Sequence, residues 1–283
     1  MGREVIEVLA PVAGGTYVDA TVGLGGHSEM ILQMIGQGGK VLGLDRDDNA
    51  LARAAERLRD SRLVLHKASF SDMESVLSSE GINAADGLLL DLGVSMMQFK
   101  DPLRGFSFNS DERLDMRMDS SQELSAWDVV NEYSERELVR ILKEYGEEYR
   151  AVRIVRAIMY ARDKKSIDTG AELAEIISAS VGRHGKIHPA TRTFQALRIE
   201  VNRELEELKM ALEASLKILK KGGRLCVISY HSLEDRLVKH FIKDSAKAGV
   251  LKHLLKKPMV PGIAEIRANP SARSAKLRGA EKL

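Results

Sequence analysis

The first hundred residues alternate between short apolar runs and amphipathic segments, and this alternation constrains the fold more than any other feature. Strand-type runs are found at 14–21, 40–45, 62–68 and 86–91. The segments between them place apolar residues at helical spacing, as in 28–35 and 49–58. The last run, DGLLLD, is almost continuously apolar, which is typical of a parallel strand buried on both faces. The series predicts a doubly wound α/β sheet.

The alternation stops after the fourth strand-type run. Residues 93–121 are polar and turn-rich, and residues 123–182 have helical spacing without a strand pattern. A long segment of this kind predicts a helical insertion, since structureless loops of such length are uncommon. We therefore expect a discontinuous α/β core of residues 1–103 and 193–283, interrupted by a helical domain of residues 104–192.

The pattern of the core resumes in the last third of the chain. Apolar residues at steps of three and four run from Phe194 to Leu219 and predict one long amphipathic helix, which Lys221-Gly222-Gly223 would end. The run 223–230 then predicts a strand. A helix is expected after it, with Ser232 and Asp235 spaced as a capping box.

Composition narrows the class of protein. Of 283 residues, 44% are hydrophobic and 30% are charged, as in soluble globular proteins, and no apolar run is long enough for a transmembrane helix. The amino-terminal segment has no signal-peptide core, and the single cysteine, Cys226, excludes an internal disulfide. The seven histidines do not cluster at metal-ligand spacing, so no metal is expected. These features predict a cytoplasmic protein.

Charge is distributed unevenly along the chain. Residues 252–283 contain eight Lys/Arg and two Glu, whereas the net charge of the whole chain is only +2. A basic tail suggests a polyanionic partner. A solvated, frayed terminus is an equally good interpretation of the charge alone.

The segment DATVGLGGHS at 19–28 predicts a nucleotide site at a strand-to-helix junction. Glycines stand at 23, 25 and 26, but Ser28 occupies the position where the dinucleotide fingerprint needs a third glycine. Asp19 would repel a pyrophosphate but suits an ammonium group, and Asp45 ends the second strand, where a carboxylate can accept both ribose hydroxyls. Both acids would also suit strand-end turns. Together these features favour S-adenosylmethionine over NAD.

Several stretches resemble one family, the bacterial 16S ribosomal RNA (cytosine-N(4))-methyltransferases. The stretches are YVDATVGLGGHS (17–28), DGLLLDLGVS (86–95), RGFSF (104–108), LDMRMD (114–119), HPATRTFQALRIEVNREL (188–205), HSLEDR (231–236) and RSAKLR (273–278). They span nearly the whole chain in order. The resemblance implies a Rossmann-like methyltransferase core with an inserted helical substrate-recognition domain. It also implies methyl transfer from S-adenosylmethionine to the exocyclic amine of cytidine 1402.

The resemblance also implies a set of cofactor contacts, namely Gly25, Gly26, His27, Asp45, Phe70, Asp91 and Gln98. Taken singly, Phe70 is equally compatible with the core, His27 with a helix start and Gln98 with an exposed loop. The chain departs from the family pattern in two places. It begins MGREVIEVL, without the usual His-x-Pro-Val stretch, and its loop reads SMMQFKD in place of Ser-Ser-x-Gln-Leu/Ile-Asp.

Basic and polar residues in the same motifs are candidates for RNA contact. Arg192, Arg198, His231 and Arg236 are predicted to bind substrate, and Arg273, Lys276 and Arg278 to contact phosphates. Gln195, Arg198 and Asn202 would share one helix face. This face is interpreted either as an RNA contact or as a surface exposed to solvent. Candidate acceptors for the amine hydrogen are Asp115, Asp119, His231 and Glu234, although HSLEDR also suits a capped helix start. No catalytic base is assigned.

The expected partner is 16S rRNA, within the assembled 30S subunit, and the sequence leaves monomer and homodimer open. Three rival functions are weighed against this one. An NAD-dependent oxidoreductase is disfavoured by Ser28, and a DNA amine methyltransferase by DLGVS, which replaces the Asn/Asp-Pro-Pro-aromatic motif. A non-catalytic RNA-binding or assembly protein on the same fold is the alternative that we retain.

Overall fold

The computed structural model describes residues 1–182 and 188–283, except for the side chains of Met96, Lys100 and Pro102. By internal packing these residues form two compact units, which are residues Met1–Gly93 with Leu205–Leu283, and Val94–Glu204. The sequence analysis expects the insertion at residues 104–192. The helical unit of the structure, Val94–Glu204, extends beyond that interval at both ends. Among the described residues, none of the helices has the length and apolarity needed to cross a bilayer.

The first unit is built on a seven-stranded sheet. Its strands are β1 Thr16–Asp19, β2 Lys40–Asp45, β3 Leu63–Lys67, β4 Ala85–Asp91, β5 Leu219–Ser229, β6 Leu251–His253 and β7 Lys276–Lys282. They lie in the order β3-β2-β1-β4-β5-β7-β6. The first five pair in parallel, and β7 runs antiparallel to both β5 and β6. The sheet is doubly wound, as the alternating pattern predicts.

Helices surround this sheet and make up the second unit. They are α1 Gly2–Leu9, α2 Gly26–Ile35, α3 Asp48–Leu58, α4 Met73–Ser79, α5 Met96–Lys100, α6 Ala126–Glu132, α7 Glu135–Glu144, α8 Ala151–Arg162, α9 Gly170–Val181, α10 Thr191–Asn202, α11 Glu204–Ile218, α12 Ser232–Lys247 and α13 Ile263–Ala268. Short 3-10 turns cover Phe70–Asp72, Pro102–Arg104 and Pro270–Ser274.

Strand side chains are buried on both faces of the sheet. In β4, Leu88 and Leu90 belong to a core cluster that includes residues of α4, α11 and α12, whereas Leu89 belongs to a second cluster with residues of α1 and α2. Successive side chains of a strand point to opposite faces, so a continuous apolar run fills both cores. The near-continuous run DGLLLD is therefore explained by burial on both sides.

The predicted single helix from Phe194 to Leu219 is wrong, because two helices occupy this interval. Arg203, between α10 and α11, adopts a left-handed conformation with φ of 51°. The apolar stripe nevertheless continues in sequence. Phe194, Leu197 and Val201 pack in the core of the helical unit, while Leu208 and Leu212 pack in a core of the sheet unit. One stripe therefore supplies two separate hydrophobic cores.

The predicted end of that helix and the start of the next strand also differ from the structure. The helix ends at Ile218, because Leu219 already pairs with Ala85 of β4. Regular pairing resumes at Arg224 opposite Gly87, so Lys220–Gly223 form an irregularity within β5. Gly222 has φ of 80°, a left-handed backbone conformation that glycine adopts without strain.

The basic tail is part of the sheet. Its strand β7 lies between β5 and β6 and pairs with β5 from Arg224↔Glu281 to Ser229↔Lys276. Leu277 and Ala280 are completely buried. A frayed terminus is therefore excluded as the interpretation of residues 276–282.

Candidate functional site

Three neighbouring parallel strands each end in an aspartate. Asp19 ends β1, Asp45 ends β2 and Asp91 ends β4, and the sheet order β2-β1-β4 places these strands side by side. The chain reverses its winding direction between β1 and β4, which is the point where open α/β sheets bind ligands beyond their carboxyl ends. The three carboxylates therefore mark the ligand edge of the sheet.

The glycine loop is held at this edge by two of the aspartates. The Asp45 carboxylate accepts hydrogen bonds from the backbone N–H of Gly23, at 2.9 Å, and of Asp47, at 3.0 Å. Asp19 is buried and accepts from the Ser28 hydroxyl at 2.7 Å. Burial raises the pKa of both carboxyl groups. Asp19 and Asp45 therefore both hold the glycine loop in place at the strand ends, as expected of strand-end turn residues.

The loop leaves open space at one glycine. Gly25 has φ of 78°, and a Cβ atom there would lie 2.7 Å from Leu58 Cδ1. Gly26, the first residue of α2, is exposed, and its Cβ would meet only Arg57 Nη1, at 3.9 Å. The backbone conformation at position 25 therefore requires glycine. At position 26, neither the backbone nor the neighbouring side chains require it. Space beside the start of a helix suits an anionic group.

Asp91 is the centre of a hydrogen-bond network. One carboxylate oxygen lies 3.2 Å from His27 Nε2, and the other accepts the Tyr230 hydroxyl at 3.0 Å. The Asp91 backbone N–H donates to the Thr21 hydroxyl at 2.7 Å, which ties the end of β4 to the glycine loop. Burial, with the charge of Asp91, raises the pKa of Tyr230, so this phenol stays protonated and donates. The sequence pattern did not single out Tyr230. Its position directly after β5, at the same sheet edge, is the signal that would have found it.

His27 combines charge with an unused polar atom. Burial lowers the pKa of His27, but the hydrogen bond and the charges of Asp91 and Asp19 outweigh burial, so the net shift is upward. Its Nδ1 atom is buried and has no hydrogen-bond partner within the described part of the chain. A buried polar atom without a partner is costly unless a ligand satisfies it. The donor set therefore fits a ligand that carries an anionic group.

Phe70 lies in the 3-10 turn after β3 and is partly buried against a core cluster. The Arg46 guanidinium carbon, one residue beyond β2, lies 5.8 Å from the centre of its ring. The turn is thus connected to the segment that carries Asp45. Phe70 contributes to the core and keeps part of its surface accessible, and its cofactor contact stays a prediction.

Gln98 belongs to the helical unit. It is buried and forms a capping box with Ser95 at the start of α5: its side chain accepts from the Ser95 N–H at 3.0 Å, and its own N–H donates to Ser95 Oγ. The structure therefore shows a local helix-capping role for Gln98. Its cofactor contact stays a prediction.

The predicted polar face of α10 makes structural contacts. Asn202 is 2% exposed, accepts from Met118 N–H at 2.7 Å and donates to Met116 C=O at 2.8 Å. Gln195 donates to the Tyr145 carbonyl at 2.9 Å, and Arg198 forms a two-bond ion pair with Glu204. Neither solvent nor RNA is needed to explain this face, because Gln195 and Asn202 bond to protein backbone and Arg198 to a carboxylate.

The other candidates in the helical unit differ in accessibility. Arg192 donates to the Glu147 carbonyl at 3.0 Å and lies 6.0 Å from the ring centre of Tyr149, which is 77% exposed. Asp115 forms an ion pair with Arg117, and Asp119 accepts from Ser121. His188 of the HPATRTF motif stacks on Phe108 of RGFSF at 4.4 Å. Arg192 is therefore a candidate RNA contact that lies beside an exposed aromatic ring, that of Tyr149.

The HSLEDR motif begins α12, and the predicted cap is displaced by one residue. His231 is the cap residue, and its reciprocal partner is Glu234. Glu234 accepts from the Tyr230 N–H at 2.8 Å, while His231 Nδ1 accepts from the Glu234 N–H at 3.4 Å. The expected capping box of Ser232 and Asp235 is wrong, since Asp235 binds elsewhere. Both candidate acceptors, His231 and Glu234, are engaged in the cap.

Asp235 fixes the tail to α12. Its carboxylate accepts from Arg278 at 2.7 Å and from Lys276 at 3.0 Å. Burial raises the pKa of Asp235, but these two cations outweigh burial and hold it below its usual range. Arg278 and Lys276 thus already have an anionic partner in the protein. Arg236, the next residue and a predicted substrate contact, also interacts with the protein within the described residues.

Comparison with known proteins decides the family. The sequence model of the MraW methylase family matches residues 1–283. The chain belongs to this family. It is therefore a methyltransferase whose cofactor is S-adenosylmethionine, and the sheet described above is a Rossmann-like methyltransferase core. The open space at Gly26 and the unpaired Nδ1 of His27 fit that cofactor.

Named relatives agree over nearly the whole chain. Ribosomal RNA small subunit methyltransferase H of Trichlorobacter lovleyi is 48% identical over 303 residues, covering 100% of this chain and 97% of the relative. The protein of the same name from Sulfurihydrogenibium sp. is 49% identical, covering 98% of this chain and 95% of the relative. A crystal structure of a Clostridium thermocellum rRNA-methylase has a TM-score of 0.50 at 17% identity, covering 100% and 96% of the two chains, which shows the fold alone.

Proposed function

We propose that this methyltransferase transfers a methyl group from S-adenosylmethionine to the exocyclic N(4) amine of cytidine 1402 of 16S rRNA. The observation that carries the proposal is the loop between β1 and α2, where an open Gly26, a protonatable His27 and two strand-end aspartates share one sheet edge. The names of the relatives support small-subunit rRNA as the substrate. The target position and the amine are what the resemblance to the (cytosine-N(4))-methyltransferases implies.

The chemistry of the loop supports the cofactor contacts that the family resemblance implies. We propose that the amino-acid end of the cofactor lies against Gly25 and Gly26, where the start of α2 and the His27 imidazolium favour its carboxylate. The Asp45 carboxylate accepts the backbone N–H groups of Gly23 and Asp47, and its remaining lone pairs can accept the ribose hydroxyls. When bound, the cofactor supplies a sulfonium methyl as the electrophile.

Phe70 and Asp91 complete the proposed site in the sheet unit, whereas the cofactor contact of Gln98 stays a prediction of the resemblance. The Phe70 ring offers an apolar surface for the adenine, because part of it is accessible. Asp91 holds His27 and Tyr230 in one network. It thereby fixes the orientation of the His27 imidazole.

The chemistry asks the protein for positioning more than for proton transfer. The cytosine amine is a poor nucleophile because its lone pair is delocalised into the ring. Aligning that lone pair with the methyl group lowers the barrier. The amine proton becomes acidic as the methyl group transfers, so no strong base is required. The base must be unstacked to reach the site.

For RNA contact in the helical unit we propose Arg192 together with Tyr149. The Tyr149 ring is 77% exposed, and the guanidinium carbons of Arg150 and Arg192 lie 5.0 and 6.0 Å from its centre. Exposed aromatic rings flanked by arginine suit stacking with unpaired bases and contact with phosphates. His231 and Arg236 are proposed substrate contacts of the sheet unit. Arg198 is a weaker candidate, because it is paired with Glu204.

The test is a methyl-transfer assay with labelled S-adenosylmethionine and 30S subunits from a strain that lacks the native enzyme. Mass spectrometry maps the modified nucleotide. We expect label on the cytidine amine, its loss in Asp45→Ala, and its retention in the control Asp48→Ala, whose side chain is 67% exposed. Label on another nucleotide refutes the position. Binding of 30S without any transfer favours the non-catalytic alternative.

A further inference from the structure

Glu207 of α11 makes contacts that the proposed site does not use. Its Oε2 atom accepts hydrogen bonds from the hydroxyls of Ser69 and Ser71, the latter at 2.6 Å. The same oxygen lies 3.4 Å from Arg46 Nη2. One carboxylate oxygen thus binds three side chains from two different loops.

These two loops carry the proposed nucleoside contacts. Arg46 directly follows Asp45 at the end of β2, while Ser69 and Ser71 flank Phe70 after β3. Arg46 also donates to Ser69 Oγ at 2.8 Å, so the two loops are joined to each other as well as to Glu207. The cluster therefore fixes the spacing of the ribose acceptor and the aromatic ring.

The cluster is shielded from water, which strengthens its contacts. The Arg46 and Glu207 side chains are 14% and 18% exposed. Hydrogen bonds to a charged acceptor are stronger than neutral ones, and partial burial reduces their screening by solvent. A turn of three residues such as Phe70–Asp72 has little internal stability, because short 3-10 segments have poor hydrogen-bond geometry. Its conformation therefore depends on an external anchor.

We propose that Glu207 is a positioning residue for the cofactor: it holds the Phe70 turn against the Asp45 loop and so preorganises the nucleoside half of the S-adenosylmethionine site. This inference rests on the proposed cofactor contacts. Glu207 acts through Ser69, Ser71 and Arg46 and does not itself touch the ligand. Removing its charge releases the turn, and binding must then supply the ordering.

The experiment measures binding of S-adenosylhomocysteine to the full-length protein by calorimetry, with methyl-transfer kinetics on 30S subunits beside it. Glu207→Gln keeps the size of the side chain but removes its charge. We expect its dissociation constant and its KM for S-adenosylmethionine to rise about tenfold, with kcat changed less than twofold. Glu213→Gln, an exposed glutamate on the same helix, is the matched control and should bind as the wild type.

A double-mutant cycle separates positioning from general stability. If Glu207 acts through the ring of Phe70, Glu207→Gln adds no further loss of affinity in a Phe70→Ala background. Ser71→Ala should reproduce part of the Glu207→Gln loss. Additive effects in the cycle, or wild-type affinity in a folded Glu207→Gln protein, refute the inference.

The proposed function fails in a different way. If the wild type itself does not bind S-adenosylhomocysteine, the cofactor site is wrong, whatever the variants do. Should Glu207→Gln unfold, Ser71→Ala serves as the deciding variant, because it removes a single hydroxyl at an incompletely buried position. Wild-type affinity in a folded Ser71→Ala protein then overturns the inference.

Discussion

Gly25 and Gly26 are adjacent glycines that differ in the structure: the backbone at Gly25 needs glycine, whereas Gly26 has open space beside it and is the proposed contact of the cofactor. At Gly26 the nearest heavy atom to an added Cβ is Arg57 Nη1, at 3.9 Å, which is ordinary van der Waals contact. Alanine is also preferred to glycine in helices, by up to about 1 kcal/mol. Gly26→Ala should therefore leave the free energy of unfolding unchanged or raise it slightly.

The same methyl group should disturb the cofactor. If the amino-acid end of S-adenosylmethionine packs against Gly26, an added methyl group clashes with it, at a cost of about 1–3 kcal/mol. The dissociation constant for S-adenosylhomocysteine should then rise about 5- to 150-fold. Gly25→Ala should behave differently. Its φ of 78° costs an alanine about 1–2 kcal/mol, so stability falls together with affinity.

Calorimetric titration and thermal unfolding of both variants test this reasoning. Gly262→Ala is the control, because a Cβ there meets nothing within 4 Å and the residue is remote in sequence from the loop. A Gly26→Ala protein that is stable and binds S-adenosylhomocysteine like the wild type refutes the placement of the cofactor against this glycine. A Gly26→Ala protein that is clearly destabilised refutes the claim of free space.

Three further predictions concern other parts of the molecule. Tyr230→Phe removes the hydroxyl that donates to Asp91 and should weaken S-adenosylhomocysteine binding about fivefold, which corresponds to about 1 kcal/mol, with the fold kept; unchanged affinity in calorimetry contradicts a role for this bond. Asn202→Ala removes the partner of the partly buried Met118 N–H and of the buried Met116 carbonyl and should lower the free energy of unfolding by about 3 kcal/mol in urea titrations; a loss under about 1 kcal/mol contradicts this. The pKa of Asp235 is held below its usual range by Arg278 and Lys276, so its ion pairs stabilise the protein above the unfolded pKa of about 4, and this contribution is lost as the pH falls through the lower, folded pKa. Asp235→Asn should therefore be less stable than the wild type at pH 7, and the difference should shrink in strongly acidic buffer; a gap that stays constant with pH shows that the charge is not responsible.

Much of the sheet unit could be predicted from residue order alone. Local periodicity reports whether one or both faces of a strand are buried, and the DGLLLD run shows both. The glycine loop and the strand-end acids Asp19 and Asp45 follow from the same pattern, because in a parallel sheet the carboxyl ends of the strands share one edge. The family motifs added the remaining candidates.

The errors at the helix boundaries have a common cause. Apolar spacing continues without interruption through Arg203, so the pattern carries no sign that the stripe divides between two cores. The displaced cap at His231 is similar. Ser232 has the better side chain for capping by propensity, yet the strand end places His231 at the cap position.

The sequence by itself determined the alternation of strands and helices, the glycine loop and the family, since these depend on local spacing and on motifs. Only the tertiary structure decided which polar residues are available. Asn202, Arg198 and Arg278 have the chemistry of RNA contacts, but long-range folding gives them partners in the protein. Tyr230 acquires a role because β4 and β5 lie side by side. A side chain's chemistry is local, whereas its partners depend on which distant segments the sheet order brings together.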